Sequence, residues 1–321
     1  MVIARETWNL EKMAQEIDVS FVMTVYNKEY YLPSVLKALL NQSGLHNPEY
    51  ILIDDLSTDK SVEIIKEMTK GINNVTIVAN KENKGISPRT NQGIALAKGK
   101  YIRLLDSDDI FPIDSTEKMI ALAENHDADM VYGCFCKTGK SPKFLENEYL
   151  ESFTYKYSKD ALRAVLTGRF TRMGQLIKTS VLKKAQGCDE RVFIQDESIA
   201  IRAAIHAKGI IKMTANVVLV PKEIGNFSGN KVQLDHDRFL SYAYAILDNQ
   251  NLSKEYAALM YRRAVSAYWK LRRKLDFMPC VKPVFPLYLL TKFFLIKPDI
   301  KFLNKMKEEF LALPKVRRIE H

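Results

Sequence analysis

Several clusters of polar residues in this sequence could carry chemistry. Asp106-Ser107-Asp108-Asp109 directly follows the apolar run Tyr101–Leu105. Carboxylates gathered at a strand end repel one another unless a cation or hydrogen-bond donors compensate. Hard divalent ions take one or two such carboxylates and complete their shell with substrate phosphates. The cluster therefore reads as a metal–diphosphate site, or as a polar turn in which Asp109 caps a helix. Asp54 and Asp55 close a second apolar run, with Ser57, Thr58 and Asp59 behind them, where hydroxyls also suit a capping loop. Thr24, Tyr26 and Asn27 close a third. There Tyr26 is either a ring that stacks on a nucleobase or an ordinary packing aromatic. Asp235-His236-Asp237 resembles a metal triad, but adjacent residues on a helix point in different directions and do not easily grip one ion. It reads as a cap for a helix from Arg238, or as a place where His236 faces phosphates or an acceptor. The other histidines form no spaced cluster, which argues against zinc.

The elements that must position these residues alternate strand and helix. Short apolar runs at Val19–Val25, Tyr50–Ile53, Val75–Ala79, Tyr101–Leu105 and Met130–Phe135 predict buried strands. Between them, Leu32, Val35, Leu36, Leu39 and Leu40 fall on one helical face. A second helix starts near Ser57 or Thr58. A third has Ser87 as N-cap and Pro88 as first residue and runs to Gly99, and a fourth covers Asp114–Asn125. This order predicts an α/β fold: an open, mainly parallel sheet flanked by helices on both faces. Ligands of such sheets bind beyond the carboxyl ends of the strands. That rule places Thr24–Asn27, Asp54–Asp55 and Asp106–Asp109 on one rim. Further on, a strand at Gln175–Lys178, a helix from Ser180, a helix from Phe193–Asp196 through His206 and a strand at Ile211–Pro221 are expected. Beyond residue 238 the pattern is helical. In Ser253–Asp276, Arg262, Arg263, Lys270, Arg273 and Lys274 share one face, and Met260, Ala264, Tyr268, Leu271 and Leu275 the other.

Charge divides the chain unevenly. The net charge of +10 over 321 residues comes from the tail: sixteen basic and six acidic residues follow from Ser253, against thirty-two of each sign before it. A hydrophobic share of 47% and a charged share of 27% exclude disordered and fibrous classes. The N-terminal residues lack the apolar core of a secretory signal. The longest apolar stretch, Val284 to Ile296, contains Pro286 and Lys292 and falls short of the roughly 20 residues of a membrane span. Four cysteines, Cys134, Cys136, Cys188 and Cys280, form no CxxC pair. A reducing, cytoplasmic setting is expected.

VSFVMTVYN, ILIDDLSTDKS and NKGISPRTNQGIALAKGKYIRLLDSDD, in this order, resemble family 2 glycosyltransferases of the GT-A fold. The resemblance is strong over residues 19–135 and weaker to about 225. It implies a GT-A domain over 1–237, with a nucleotide-binding half at 19–135 and an acceptor-binding half at 136–237, followed by a basic amphipathic helical C-terminal region at 238–321. It implies that Tyr26 stacks on the base, that Asp55 accepts a hydrogen bond suited to a uracil N3–H, and that Thr24 lines the same pocket. Arg89, at a helix start that favours anions, would face the phosphates. Asp106 would contact the ribose or metal-bound waters, and Asp108 would hold Mn²⁺ or Mg²⁺ against the diphosphate. Inverting members need a carboxylate to deprotonate the acceptor hydroxyl. Asp196 in Phe193-Ile-Gln-Asp196-Glu-Ser takes that place, with Glu197 as rival and Gln195 where the family often has Glu. The bland alternative is that Asp196 only caps its helix.

The function implied is metal-dependent, inverting transfer of a sugar from a nucleotide donor, a UDP-sugar, to a hydroxyl of a cell-envelope glycan or glycolipid, such as a lipopolysaccharide core or capsular chain. A sugar nucleotidyltransferase usually carries a glycine-rich loop after its first strand, where this chain has TVYNKEYY. A P-loop fails because Gly93 to Lys100 is one residue too long and Tyr101 stands where Ser or Thr should follow. An inactive sugar-nucleotide-binding protein is the non-enzymatic alternative. The basic tail, with aromatics beside lysines, suits an anionic membrane surface or packing on the body. No nucleic-acid-binding signature accompanies it, and oligomeric state is left open.

Overall fold

The computed structural model describes residues 16–168, 170, 174–222, 231–313 and 316. Its first half obeys the alternation: β1 (Val19–Val25), α1 (Leu32–Leu40), β2 (Glu49–Asp54), α2 (Ser61–Met68), β3 (Val75–Ala79), α3 (Ile86–Leu96), β4 (Tyr101–Asp106), α4 (Ser115–His126) and β5 (Met130–Lys137). The second half contains β6 (Tyr155–Ser158), α5 (Ala161–Thr167), β7 (Gln175–Lys178), α6 (Thr179–Lys184), α7 (Asp196–His206) and β8 (Ile210–Val220). After β8, the last strand among the described residues, come α8 (Lys231–Asp248), α9 (Lys254–Leu275), α10 (Val284–Phe293) and α11 (Ile300–Leu311).

All eight strands form one sheet in the order β3-β2-β1-β4-β7-β5-β8-β6. Strands β3, β2, β1 and β4 are mutually parallel, as are β5 and β8. Strand β7 lies antiparallel between β4 and β5, and β6 closes the far edge antiparallel to β8. Successive residues of a strand face opposite sides. Phe21, Met23 and Val25 accordingly enter one core with α1 and Met119 of α4, while Val22 enters the other with Ile94 of α3 and the C-terminal helices. Helix α3 can lie on β1 because residue 93 is glycine: a Cβ there would sit 2.3 Å from Val22 Cγ1.

Several local expectations are corrected. Helix α2 starts at Ser61 without a side-chain cap, because the Ser57 hydroxyl accepts the Asn27 amide instead. Helix α3 starts at Ile86 behind Gly85, not at Ser87, whose hydroxyl donates to the Val192 carbonyl, and it ends at Leu96 rather than Gly99. Asp109 caps no helix, since α4 begins at Ser115 behind Asp114. Helix α8 already runs from Lys231, so Asp235, His236 and Asp237 lie inside it rather than capping a helix from Arg238. On α9, Met260, Ala264, Tyr268 and Leu271 are buried as expected, whereas Leu275 is 47% exposed at the helix end. Among the described residues no helix is long and apolar enough to cross a membrane.

Candidate active site

The parallel register brings the three clusters to one rim. Thr24 pairs with Ile53 on one side and with Asp106 on the other, and Val25 pairs with Asp54. The strands therefore end together, and the residues after them enter loops on the same edge. Asn27 and Leu56 take left-handed backbone conformations there, with φ of 52° and 65°. Such conformations are costly for a residue like leucine and persist where the surroundings fix them. Here the fixing contacts run between the two loops: Asn27 donates its amide to Ser57 Oγ (3.0 Å) and accepts from the Thr58 amide at 2.8 Å. Tyr26 beside them is 48% exposed, and Thr24 is buried.

Asp55 is fixed from several directions. Its carboxylate accepts the amides of Lys84 (2.9 Å) and Gly85 (2.8 Å), and Arg89 Nε donates to it at 2.6 Å. Gly85 presents its amide this way at φ 85°, a conformation that favours glycine. Arg89 is 6% exposed, and its remaining donors reach Asn80 Oδ1, Gln92 Oε1 and the Glu82 carbonyl. Arg89 thus departs from the expectation that it faces phosphates: its guanidinium is consumed in holding Asp55 and the loop before α3. The neighbouring Asp54 is 2% exposed and accepts the Ser57 amide through Oδ2.

At the end of β4, Asp106 is half-buried and Asp109 is 2% exposed. Asp108 is half-buried like Asp106, and Lys28 Nζ from the β1 loop lies 2.5 Å from its Oδ2. The Lys28 ammonium also lies 5.4 Å from the centre of the Tyr31 ring. Asp108 is therefore a carboxylate that already attracts a cation on this rim. Among the described residues no three His, Cys, Asp or Glu side chains cluster closely enough to hold a metal by themselves. That donor set fits an ion bound through one or two carboxylates and a ligand's phosphates. Lys28 carries no motif of its own; its position directly after Tyr26-Asn27 was the available signal.

Asp196 follows a segment that is anchored beside the Gly85 loop. The segment leading to it packs on the start of α3: Ser87 donates to the Val192 carbonyl, Phe193 lies over Gly85, and Gln195 Nε2 donates to Thr90 Oγ1. Gln195 is 1% exposed and its carbonyl oxygen also accepts the Cys188 thiol. A neutral amide fits between a hydroxyl and a thiol without the cost of burying a charge. The Ile194 amide is held by Asp237 at 2.7 Å. Asp196 then opens α7, partly exposed, and helps burial raise the Tyr132 phenol above its ordinary range. Glu197 points elsewhere: Arg238 Nε donates to one oxygen and the Tyr242 hydroxyl to the other, at 2.7 Å. His236 is 3% exposed, bonded through Nδ1 to Asp237 and through Nε2 to the Phe310 carbonyl, with its ring stacked on Phe310. It joins α8 to α11 and is not brought to the rim residues. Asp235 pairs with Lys274, and Asp237 holds both His236 and the Ile194 amide, so the string serves packing contacts.

A family model described as glycosyl transferase family 2 matches residues 20–185. The chain is 36% identical over 110 residues to the minor teichoic acid biosynthesis protein GgaB of Bacillus subtilis (strain 168), covering 34% of this chain and 12% of GgaB. It spans less than two thirds of the length of the first curated relatives it matches. Among solved structures, S. aureus TarS 1–349 in complex with UDP-GlcNAc is similar with a TM-score of 0.62 over 92% of each chain, at 15% identity. The mannosyltransferase PcManGT of Pyrobaculum calidifontis, in complex with GDP-Man and Mn²⁺, gives a TM-score of 0.59 over 92% of this chain and 86% of its own, also at 15% identity. The sheet is that of the GT-A fold.

Proposed function

Because this chain belongs to glycosyl transferase family 2, we propose that it transfers a sugar from a UDP-sugar to a hydroxyl of a cell-envelope glycan or glycolipid, with inversion at the anomeric carbon. The observation that carries this reading is the shared rim. A carboxylate locked by Arg89 and two amides, a carboxylate matched to a cation, and an exposed tyrosine all leave neighbouring strand ends. In this reading Tyr26 stacks on the uracil, Asp55 accepts its N3–H, and Thr24 and Asn27 shape the pocket. Asp108 would hold Mn²⁺ or Mg²⁺, with Asp106 toward the ribose or the ion's waters, and Asp54 and Asp109 behind them as buried support. When bound, the ion supplies positive charge to the departing nucleoside diphosphate.

Asp196 acts as the base. It takes the proton of the acceptor hydroxyl as that oxygen attacks the anomeric carbon and the bond to the diphosphate oxygen breaks. Its place at the start of α7 and the Asp237 and Gln195 contacts that hold the preceding segment support this role, while Glu197 is engaged by Arg238 and Tyr242. Residues 19–135 form the nucleotide half, 136–237 the acceptor half and 238–321 a helical region that extends it. GgaB, named for minor teichoic acid biosynthesis, supports a phosphate-rich envelope glycan as acceptor. Such an acceptor, made at a membrane, supports a location at the cytoplasmic membrane face.

The test is a panel of nucleotide sugars screened for Mn²⁺-dependent thermal stabilisation. A ligand at about 100 times its Kd stabilises the native state by about 2.7 kcal/mol. UDP-sugars are expected to raise the melting temperature by several degrees with Mn²⁺ and by less without it. If no nucleotide shifts the transition under either condition, the reading fails.

A further inference from the structure

Helix α10 is apolar on both of its faces. Val284, Leu287, Tyr288 and Thr291 fall at helical spacing and face inward: Val284 and Thr291 are buried, and Tyr288 stacks on Trp269 with ring centroids 5.5 Å apart. Pro286, Leu289, Leu290 and Phe293 fall at the same spacing on the opposite side, and all four are exposed. A helix that is hydrophobic all round ordinarily has something covering each face. The exposure continues past both ends. Before the helix, Phe277 is 100% exposed, with Met278 and Val281 also exposed; after it, Phe294 and Leu295 are exposed.

The segment that carries this surface has charge of one sign, with Asp276 and Asp299 just outside it. Residues 277–298 contain Lys282, Lys292 and Lys297 and no Asp or Glu. Lys292 also lines a cleft of about 400 Å³ between α9 and α10, together with Arg262, Arg263 and Ser266. Arg263 is anchored on the Leu166 and Gly168 carbonyls and Arg262 on the Lys292 carbonyl. Both guanidiniums are thus held by neutral carbonyl oxygens, which leave their positive charge in place. Anchored guanidiniums with uncancelled charge suit phosphate oxygens.

We propose that the outer face of α10, with Phe277–Val281 and Phe293–Leu295 at its ends, docks on an anionic lipid bilayer. The aromatic and aliphatic side chains enter the headgroup boundary, and Lys282, Lys292 and Lys297 meet lipid phosphates, with the Arg262–Arg263 cleft behind the helix adding to the positive charge. Charge decides for this occupant over a second copy of the chain: two such faces brought together would oppose like charges, whereas an acidic bilayer satisfies both the apolar and the cationic groups. The proposal rests on this surface alone and not on the transfer reaction, so the two can fail separately.

The experiment is co-sedimentation of the full chain with vesicles of equimolar phosphatidylcholine and phosphatidylglycerol, and with phosphatidylcholine alone. The wild-type chain is expected to bind the acidic vesicles in a salt-sensitive manner and the neutral ones weakly. Phe277→Ser/Phe293→Ser/Phe294→Ser changes only exposed side chains and should lower binding at least tenfold. Lys282→Gln and Lys292→Gln should each lower it about fivefold. UDP binding, measured in the same samples, should be equal in all variants. Wild-type protein that ignores acidic vesicles, or a triple serine variant that binds as well as wild type, overturns the proposal. So does wild-type self-association that the triple variant abolishes without any vesicle binding, since the face would then join two copies.

Discussion

Replacing Arg89 by methionine separates two roles that a rim arginine can have. In the wild-type structure Arg89 and Asp55 are 6% and 5% exposed and 2.6 Å apart. Arg89→Met keeps most of the side-chain volume and leaves the Asp55 carboxylate buried with the Lys84 and Gly85 amides as its remaining partners. Breaking a buried ion pair from one side costs about 3–5 kcal/mol. The two surviving amides place the expected loss at the lower end, about 3 kcal/mol. Asn80, Gln92 and the Glu82 carbonyl also lose a donor, which holds the value from falling further. Against a total stability of about 5–15 kcal/mol this is large, and it should move the urea midpoint by roughly 1 M or more. A cycle with Asp55→Asn should show the double variant to be less destabilised than the sum by about 1–3 kcal/mol. The assay is urea unfolding followed by circular dichroism, with UDP affinity measured beside it. If Arg89→Met unfolds within about 0.5 kcal/mol of wild type yet binds UDP at least tenfold more weakly, Arg89 is a phosphate ligand and the buried pair is not what holds the loop.

Asp108→Ala should remove the Mn²⁺ dependence of UDP binding; titrations whose affinity still responds to Mn²⁺ as in wild type would count against the metal role. Asp196→Asn should bind donor as wild type does and transfer at least a hundredfold more slowly, whereas Glu197→Gln, altering contacts with Arg238 and Tyr242, should change melting temperature more than turnover. Stability should also fall on the acid side. Burial pushes Glu146 up, but Lys37 and Ser34 outweigh it and hold the carboxyl below its ordinary range; burial likewise raises Asp160, but the Arg163 amide, the Tyr256 hydroxyl and the Arg163 guanidinium bring it below. Groups held lower in the folded chain contribute fully above their unfolded values near about 4 and lose that contribution as pH drops through the folded ones. The melting temperature should therefore decline below about pH 4, and Glu146→Gln should make the decline shallower.

The first half of the chain was legible because buried parallel strands are continuous apolar runs, and those runs stop at the residues that form the rim. Strand β6, with sequence YKYS, has no such run, since it is an edge strand with half its side chains toward water. The direction of β7 was not legible either: Gln-Leu-Ile-Lys reads the same whether it pairs parallel or antiparallel. Helix starts failed where the expected capping hydroxyls, Ser57 and Ser87, serve contacts distant in sequence. Arg89 failed for the same reason, because its partner lies 34 residues away. Arg103 offered no signal at all. It is fully buried between Ser115, Thr116, the Val217 carbonyl and the Phe111 ring, and burial pushes its guanidinium down to about 9. Spacing reports which residues share a face, while an ion pair closed across the fold leaves no periodic trace.

The reversed strand has an effect on how this architecture can change. Because β5 points toward the rim and β7 points away from it, the thirty-odd residues between them leave and re-enter the sheet on one border, where the Tyr132 hydroxyl meets Gln175 at 2.8 Å. That stretch carries β6 to the far edge and is tied to α1 through Glu146, so its exposed loops can change while β1, β2 and β4, which lead to Thr24, Asp55 and Asp106, stay paired. In the proposed function, this separates the choice of acceptor from the grip on the nucleotide.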